Sequence, residues 1–141
     1  MSSAHPHAKP DKMTLDTSAL LVILNDEPER AEFTSLIEGA ATRQISAVSV
    51  LEAAMVVEGR RGPDASADLD ALLRSAAVRI VPFDHEQLAI ARDAFRRFGK
   101  GVHRAGLNFG DCAAYALARW SAEPLLFKGN DFTQTDIGRV R

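Results

Sequence analysis

MTLDTSALL, residues 13–21, is a short apolar strand that ends on Asp16 and gives way at once to helix-forming residues. Working outward, a strand hands over to a helix or loop around an acid in three more places. These are ISAVSVLEAAM (45–55, Glu52), LNFGDCAAYAL (107–117, Asp111) and LLFKGNDF (125–132, Asp131). From Met13 onward, apolar strands alternate with helically spaced segments, the pattern of a βα-alternating parallel sheet. Strands are expected near 13–16, 44–47, 78–82 and 124–127, with a weaker fifth at 137–140. In such a sheet ligands collect at the carboxyl ends of the strands, so acids far apart in sequence converge on one pocket. Converging carboxylates repel, and a divalent cation relieves the repulsion.

The segments between the strands have helical spacing. Phe33, Leu36, Ile37 and Ala40 form one apolar stripe; Leu51, Ala54 and Met55 form another that ends in the polar Glu58. Leu69, Leu72, Leu73 and Ala76 make a third after the GPD break at 62–64. In VPFDHEQLAIARDAF (81–95), Asp84 suits the N-cap, Gln87 completes a capping box, and Phe83 with Leu88 forms a staple. Leu88, Ala91, Phe95 and Phe98 predict one buried face running to a stop at Gly99. A last helix is expected from Gly110 to about Trp120, with Pro124 turning into the fourth strand.

A chain of 141 residues buries one core and is too short for two ordinary domains. Residues 1–12, MSSAHPHAKPDK, are polar and without periodicity, and read as a disordered leader before a domain at 13–141, with Met13 a candidate start. His5 and His7 have no further ligand nearby to complete a metal site. The net charge of -2 conceals RRFGKGVHR (96–104), which has no acid. A single cysteine rules out an internal disulfide framework and fits a reducing cytoplasm. No apolar run reaches the length of a membrane span, and the N-terminus lacks a signal-peptide stretch.

Each acid also has a plain structural role available. Asp16, followed by Thr17 and Ser18, is a favoured helix cap. Asp111 at a helix start interacts well with the macrodipole, and Asp131 suits a Gly/Asn turn. Glu52 lies among Val50, Leu51, Ala53 and Ala54, an expensive setting for a carboxylate unless it reaches water or a cation. Asp136 is either a second-tier ligand or a turn residue. Arg96, Arg97, Lys100 and Arg104 are candidates for holding the backbone of a polyanionic partner, or else form a solvated helix end. His103 in the same loop is a weaker candidate general base. Cys112 reads as a small core residue, and Tyr115 and Trp120 as packing or interface residues, because one Trp and one Tyr do not make a stacking groove. The joint pattern of the four acids is harder to attribute to capping than any one of them.

LDTSALL, SVLEA, LNFGDCAAYALA and KGNDFTQTDI together resemble the PIN-domain ribonucleases, specifically the VapC-type toxins of bacterial type II toxin–antitoxin pairs, over Met13 to the C-terminus. The resemblance implies a three-layer α/β/α fold with a central, mostly parallel sheet of four to five strands. It implies Mg²⁺- or Mn²⁺-dependent endonucleolytic cleavage of RNA to 5′-phosphate and 3′-hydroxyl ends, a homodimer, and neutralisation by a VapB-type antitoxin. The family's acids fall on Asp16, Glu52, Asp111 and Asp131, with Ser18 and Asn130 at supporting positions. The leader departs from the family pattern and points to an upstream start or an added segment.

The chemistry agrees with that resemblance. A phosphodiester is anionic, so a pocket of carboxylates repels it until hard cations reverse the field. A metal-activated water is then the expected nucleophile, with Asp16, Asp111 and Asp131 as direct or water-mediated ligands and Glu52 as a ligand or the group orienting the water. Two other readings stand beside it. A non-catalytic PIN-like module that binds RNA or protein would be expected to have lost an acid. An Asp-nucleophile phosphohydrolase needs a second Asp where this chain has Ser18.

Overall fold

The computed structural model describes residues 11–141, so the expected leader lies outside the described residues up to position 10. The chain order is β1 (Lys12–Leu15), α1 (Thr17–Leu24), α2 (Arg30–Gly39), β2 (Thr42–Ser46), α3 (Ala47–Arg61), α4 (Ser66–Ser75), β3 (Val78–Val81), α5 (His85–Phe98), α6 (Phe109–Ser121) and β4 (Leu125–Leu126). All four strands are parallel, in the order β3-β2-β1-β4. The expected fifth strand at 137–140 shrinks to an isolated bridge between Leu125 and Arg139.

Strand alternation sorts the two faces of the sheet. Met13, Leu15, Ile45 and Leu126 pack with Leu20, Phe33, Ile37, Ala53, Leu69 and Leu73 of α1–α4. Leu125 packs on the other face with Ala91, Ala94, Ala114, Tyr115 and Ala118 of α5 and α6. The result is a three-layer α/β/α fold. On the α6 side the buried Gln44 is satisfied: its Nε2 donates to Thr14 Oγ1 (3.0 Å) and Ser121 Oγ (2.7 Å), and its Oε1 accepts from Arg79 (2.9 Å).

Two helices bury a different face from the one their large apolar residues mark. In α3 the buried residues are Ser49, Ala53 and Val57, whereas Leu51 and Met55 are 60% and 67% exposed. In α5 Gln87, Ala91 and Ala94 are buried, while Leu88 and Phe95 are 41% and 46% exposed. Asp84 does cap α5, accepting from Gln87 N at 2.9 Å. The Gln87 side chain does not close the expected capping box, because it donates to Pro82 O instead.

Candidate active site

Asp16 leaves β1 with extended backbone and caps α1, its Oδ2 accepting from Ser18 N (3.0 Å) and Ser18 Oγ (2.6 Å). Ser18 Oγ in turn accepts from Lys128 N at 2.9 Å, tying the end of β1 to the chain leaving β4. β2 and β3 lie on one side of β1 and β4 on the other, so this is the switch point where open parallel sheets take ligands. Of the four acids only Asp16 directly follows a strand. Glu52 lies in the second turn of α3, Asp111 in the first turn of α6, and Asp131 in irregular chain beyond β4. Helix starts and a loop, rather than four strand ends, bring the acids together.

Glu52 crosses from α3 to α6. A Cβ built on Gly110 would fall 2.4 Å from Glu52 Oε1 and 2.6 Å from Oε2, so the carboxylate fills the space that glycine leaves open. The buried Thr17 Oγ1 lies 2.7 Å from Glu52 Oε1 and 3.0 Å from Ser49 O, and its single proton goes to one of them. Asp111 sits in a complete capping box: Asn108 Oδ1 accepts from Asp111 N (2.9 Å), and Asp111 Oδ2 accepts from Asn108 N (3.1 Å).

These acids feel one another. Burial pushes Asp16 up to about 6 against the pull of Ser18, with Glu52 and Asp131 adding repulsion. Burial also pushes Asp111 up to about 8; Asn108 opposes it, and Asp16 and Asp131 reinforce it. For Asp16 and Asp111 burial is the largest cause, and the neighbouring acids add to it. Among the described residues no three His, Cys, Asp or Glu side chains already close on one ion position. One oxygen each of Asp16, Glu52 and Asp111 is instead turned to a local donor. The donor set fits Mg²⁺ or Mn²⁺: all oxygens, anionic, and few enough to leave water in the remaining positions.

The other predicted residues distribute differently. Asn130 and Asp131 are exposed. Asp136 does not join the acids; its carboxylate accepts from Tyr115 Oη (2.5 Å) and Arg97 Nη2 (2.9 Å), with Arg119 Nη1 at 3.5 Å. These partners hold it below the usual carboxylate range against the desolvation that opposes them. Arg97 is therefore committed to Asp136 and Asp93, whereas Arg96 makes only a 3.9 Å approach to Asp93, and Lys100 and Arg104 are exposed. His103 Nδ1 accepts from Ala105 N, and the ring meets Phe98 edge-on, a turn-forming role. Cys112 is buried, its thiol pushed up to about 11 by burial and then by Asp111. Tyr115 is buried, and Trp120 donates to Glu86.

Sequence reading missed Thr17, Asn108 and Gly110 as site residues. The Asn108/Asp111 spacing is a capping-box signal visible in the sequence. Nothing local separates Thr17 from Ser18 or marks the partner of Gly110.

A cluster of carboxylates at the switch point of a four-stranded parallel sheet, between helix layers, defines a PIN domain, and the PIN-domain family model matches residues 13–138. Ribonuclease VapC30 of Mycobacterium tuberculosis is 48% identical over 128 residues, covering 91% of this chain and 98% of that protein. Ribonuclease VapC of Mycolicibacterium smegmatis is 49% identical over 132 residues, covering 91% and 99%. This chain belongs to the VapC branch of the PIN-domain family. Its fold is also similar to the crystal structure of M. tuberculosis VapC20, a toxin that cleaves the sarcin–ricin loop. That match has a TM-score of 0.75 at 19% identity, covering 92% of this chain and 98% of the other. The fold likewise resembles a chain of VapBC2 from Rickettsia felis bound to promoter DNA, with a TM-score of 0.70 at 16% identity, covering 91% and 96%.

Proposed function

We propose that this chain is a Mg²⁺- or Mn²⁺-dependent endoribonuclease toxin restrained by a cognate VapB-type antitoxin. The observation that carries the proposal is the Glu52 carboxylate seated over Gly110 beside Asp16 and Asp111, both of which burial and mutual repulsion push toward protonation. The naming of relatives at 48–49% identity as VapC ribonucleases supports RNA as the substrate. Bound among these carboxylates, the cation supplies their counter-charge and Lewis-acid activation of the attacking water. Ser18 and Asn108 fix Asp16 and Asp111, while Thr17 props Glu52 so that its second oxygen can orient that water. Arg96, Lys100 and Arg104 meet backbone phosphates without reading bases.

A second copy of the chain is the occupant we propose for the apolar groove lined by Val48, Phe83, Leu88, Phe95 and the exposed Phe109, since single solvated domains rarely present large contiguous apolar patches. Sedimentation as a monomer would remove the homodimer from the proposal.

The decisive experiment incubates purified protein, freed of any partner, with RNA and Mg²⁺ beside Asp111→Asn. Discrete cleavage that chelation and the substitution both abolish is expected; equal cleavage by Asp111→Asn would sink the proposal. A phosphoaspartate trapped on Asp16 would replace it with an Asp-nucleophile phosphohydrolase.

A further inference from the structure

The segment carrying Asp131 has no regular structure. Between β4 and the Arg139 bridge it turns on bonds from Thr133 N to Asn130 O (3.2 Å) and Thr135 N to Phe132 O (3.1 Å). Upstream it is tied by Lys128, whose backbone N–H reaches Ser18 and whose ammonium reaches Glu27 and Glu29. In the middle, the buried Phe132 packs on Phe127 at 5.0 Å between ring centroids. Downstream the tie is Asp136, which gathers Tyr115 of α6, Arg97 of α5 and Arg119 of α6.

Tyr115 is one helical turn beyond Asp111 on the same helix. Thus α6 holds Asp111 directly and grips the Asp131 segment through Tyr115 and Asp136. An isolated surface ion pair would contribute little. Here a buried phenol and two guanidinium groups converge on one carboxylate, and charge-assisted bonds of this kind are the stronger ones.

We infer that Asp136 is a positioning residue: it latches residues 127–137 onto α5 and α6 and so delivers Asp131 to the acidic pocket. This inference rests on the reading of that pocket as a cation site.

The test measures Mn²⁺ affinity calorimetrically on the full chain, without RNA, and records thermal midpoints in parallel. Asp136→Ala is expected to weaken Mn²⁺ binding by about tenfold or more, the usual cost of losing a residue that orients a ligand. Asp136→Asn, which keeps an acceptor for Tyr115, should fall between Asp136→Ala and the parent. Asp136→Ala combined with Asp131→Asn should bind no more weakly than Asp131→Asn alone, since both act through one ligand. Parent-like Mn²⁺ affinity in Asp136→Ala, or additive losses in the double variant, would overturn the inference while leaving the cation site standing. Should Asp136→Ala not fold, Tyr115→Phe removes one hydroxyl and carries the same comparison with Asp131→Asn. Parent-like affinity in Asp131→Asn would instead overturn Asp131's place in the cation site, and the latch with it.

Discussion

Asp16 and Asp111 are held differently from Asp131. The first two are buried, and each is fixed by hydrogen bonds that also cap its helix. Asp131 is exposed on irregular chain and owes its position to anchors on either side. For the first two, the structural role and the chemical role are the same bond, so precision comes with the fold. The third is held at a distance, and its placement has a separate stability of its own.

Three expected outcomes probe this contrast, from the largest effect down. Gly110→Ala should lower RNA cleavage by about a hundredfold, the order expected when a catalytic group is displaced by an ångström. The nearest atoms the added Cβ meets belong to the flexible end of Glu52, and Ala suits a helix better than Gly, so the thermal midpoint should hold or rise. Activity near the parent's would show that Glu52 need not sit over α6.

The second outcome is a dependence of stability on pH without metal. Both buried acids have folded-state pKa values above the unfolded 3.8, about 6 for Asp16 and about 8 for Asp111. The folded protein therefore binds protons more tightly, and the stability they contribute is complete below about pH 4 and lost as the pH rises through 6 and then 8. Denaturant titrations should show that loss. Asp111→Asn should remove its upper part, and Mn²⁺ should suppress it. A profile unchanged by Asp111→Asn would mean that Asp111 does not titrate in this window.

Ser18→Ala gives the smallest effect, because Ser18 joins the two regions. Losing its bonds to Asp16 and Lys128 should cost about 1 kcal/mol of global stability. Protease sensitivity confined to residues 127–136 should rise with it. Unchanged sensitivity there would show that the segment is anchored by Asp136 and Phe132 alone.

The parallel sheet was legible in the alternation of strands and helical spacing, the three layers came with the family resemblance, and of the four acids only Asp16 directly follows a strand. Short apolar runs ending in Asp16 or preceding KGND announce their geometry locally. The buried faces of α3 and α5 were legible only in part: Ala91 and Phe98 turn inward as expected, while Leu51, Met55, Leu88 and Phe95 do not. A helical period fixes spacing but not phase, and Leu51, Met55, Leu88 and Phe95 are bulky enough to look like core. The inner face holds Ser49, Ala53 and Val57 in α3, and Gln87, Ala91 and Ala94 in α5. The partners of Asp136 were out of reach for a related reason: Tyr115 and Arg97 lie 21 and 39 residues away.

The capping box at the start of α6 bears on how such a chain can lose its activity over generations. Asn at position 111 would keep an oxygen for the Asn108 N–H and so keep the helix start, while removing the charge. Ala there would forfeit both. With Asp111 in the role proposed for it, Asp111→Asn is therefore the gentle route to silence: the helix start and every other surface stay in place while the charge is gone. A disarmed copy of this kind would compete with its active sibling for whatever restrains it.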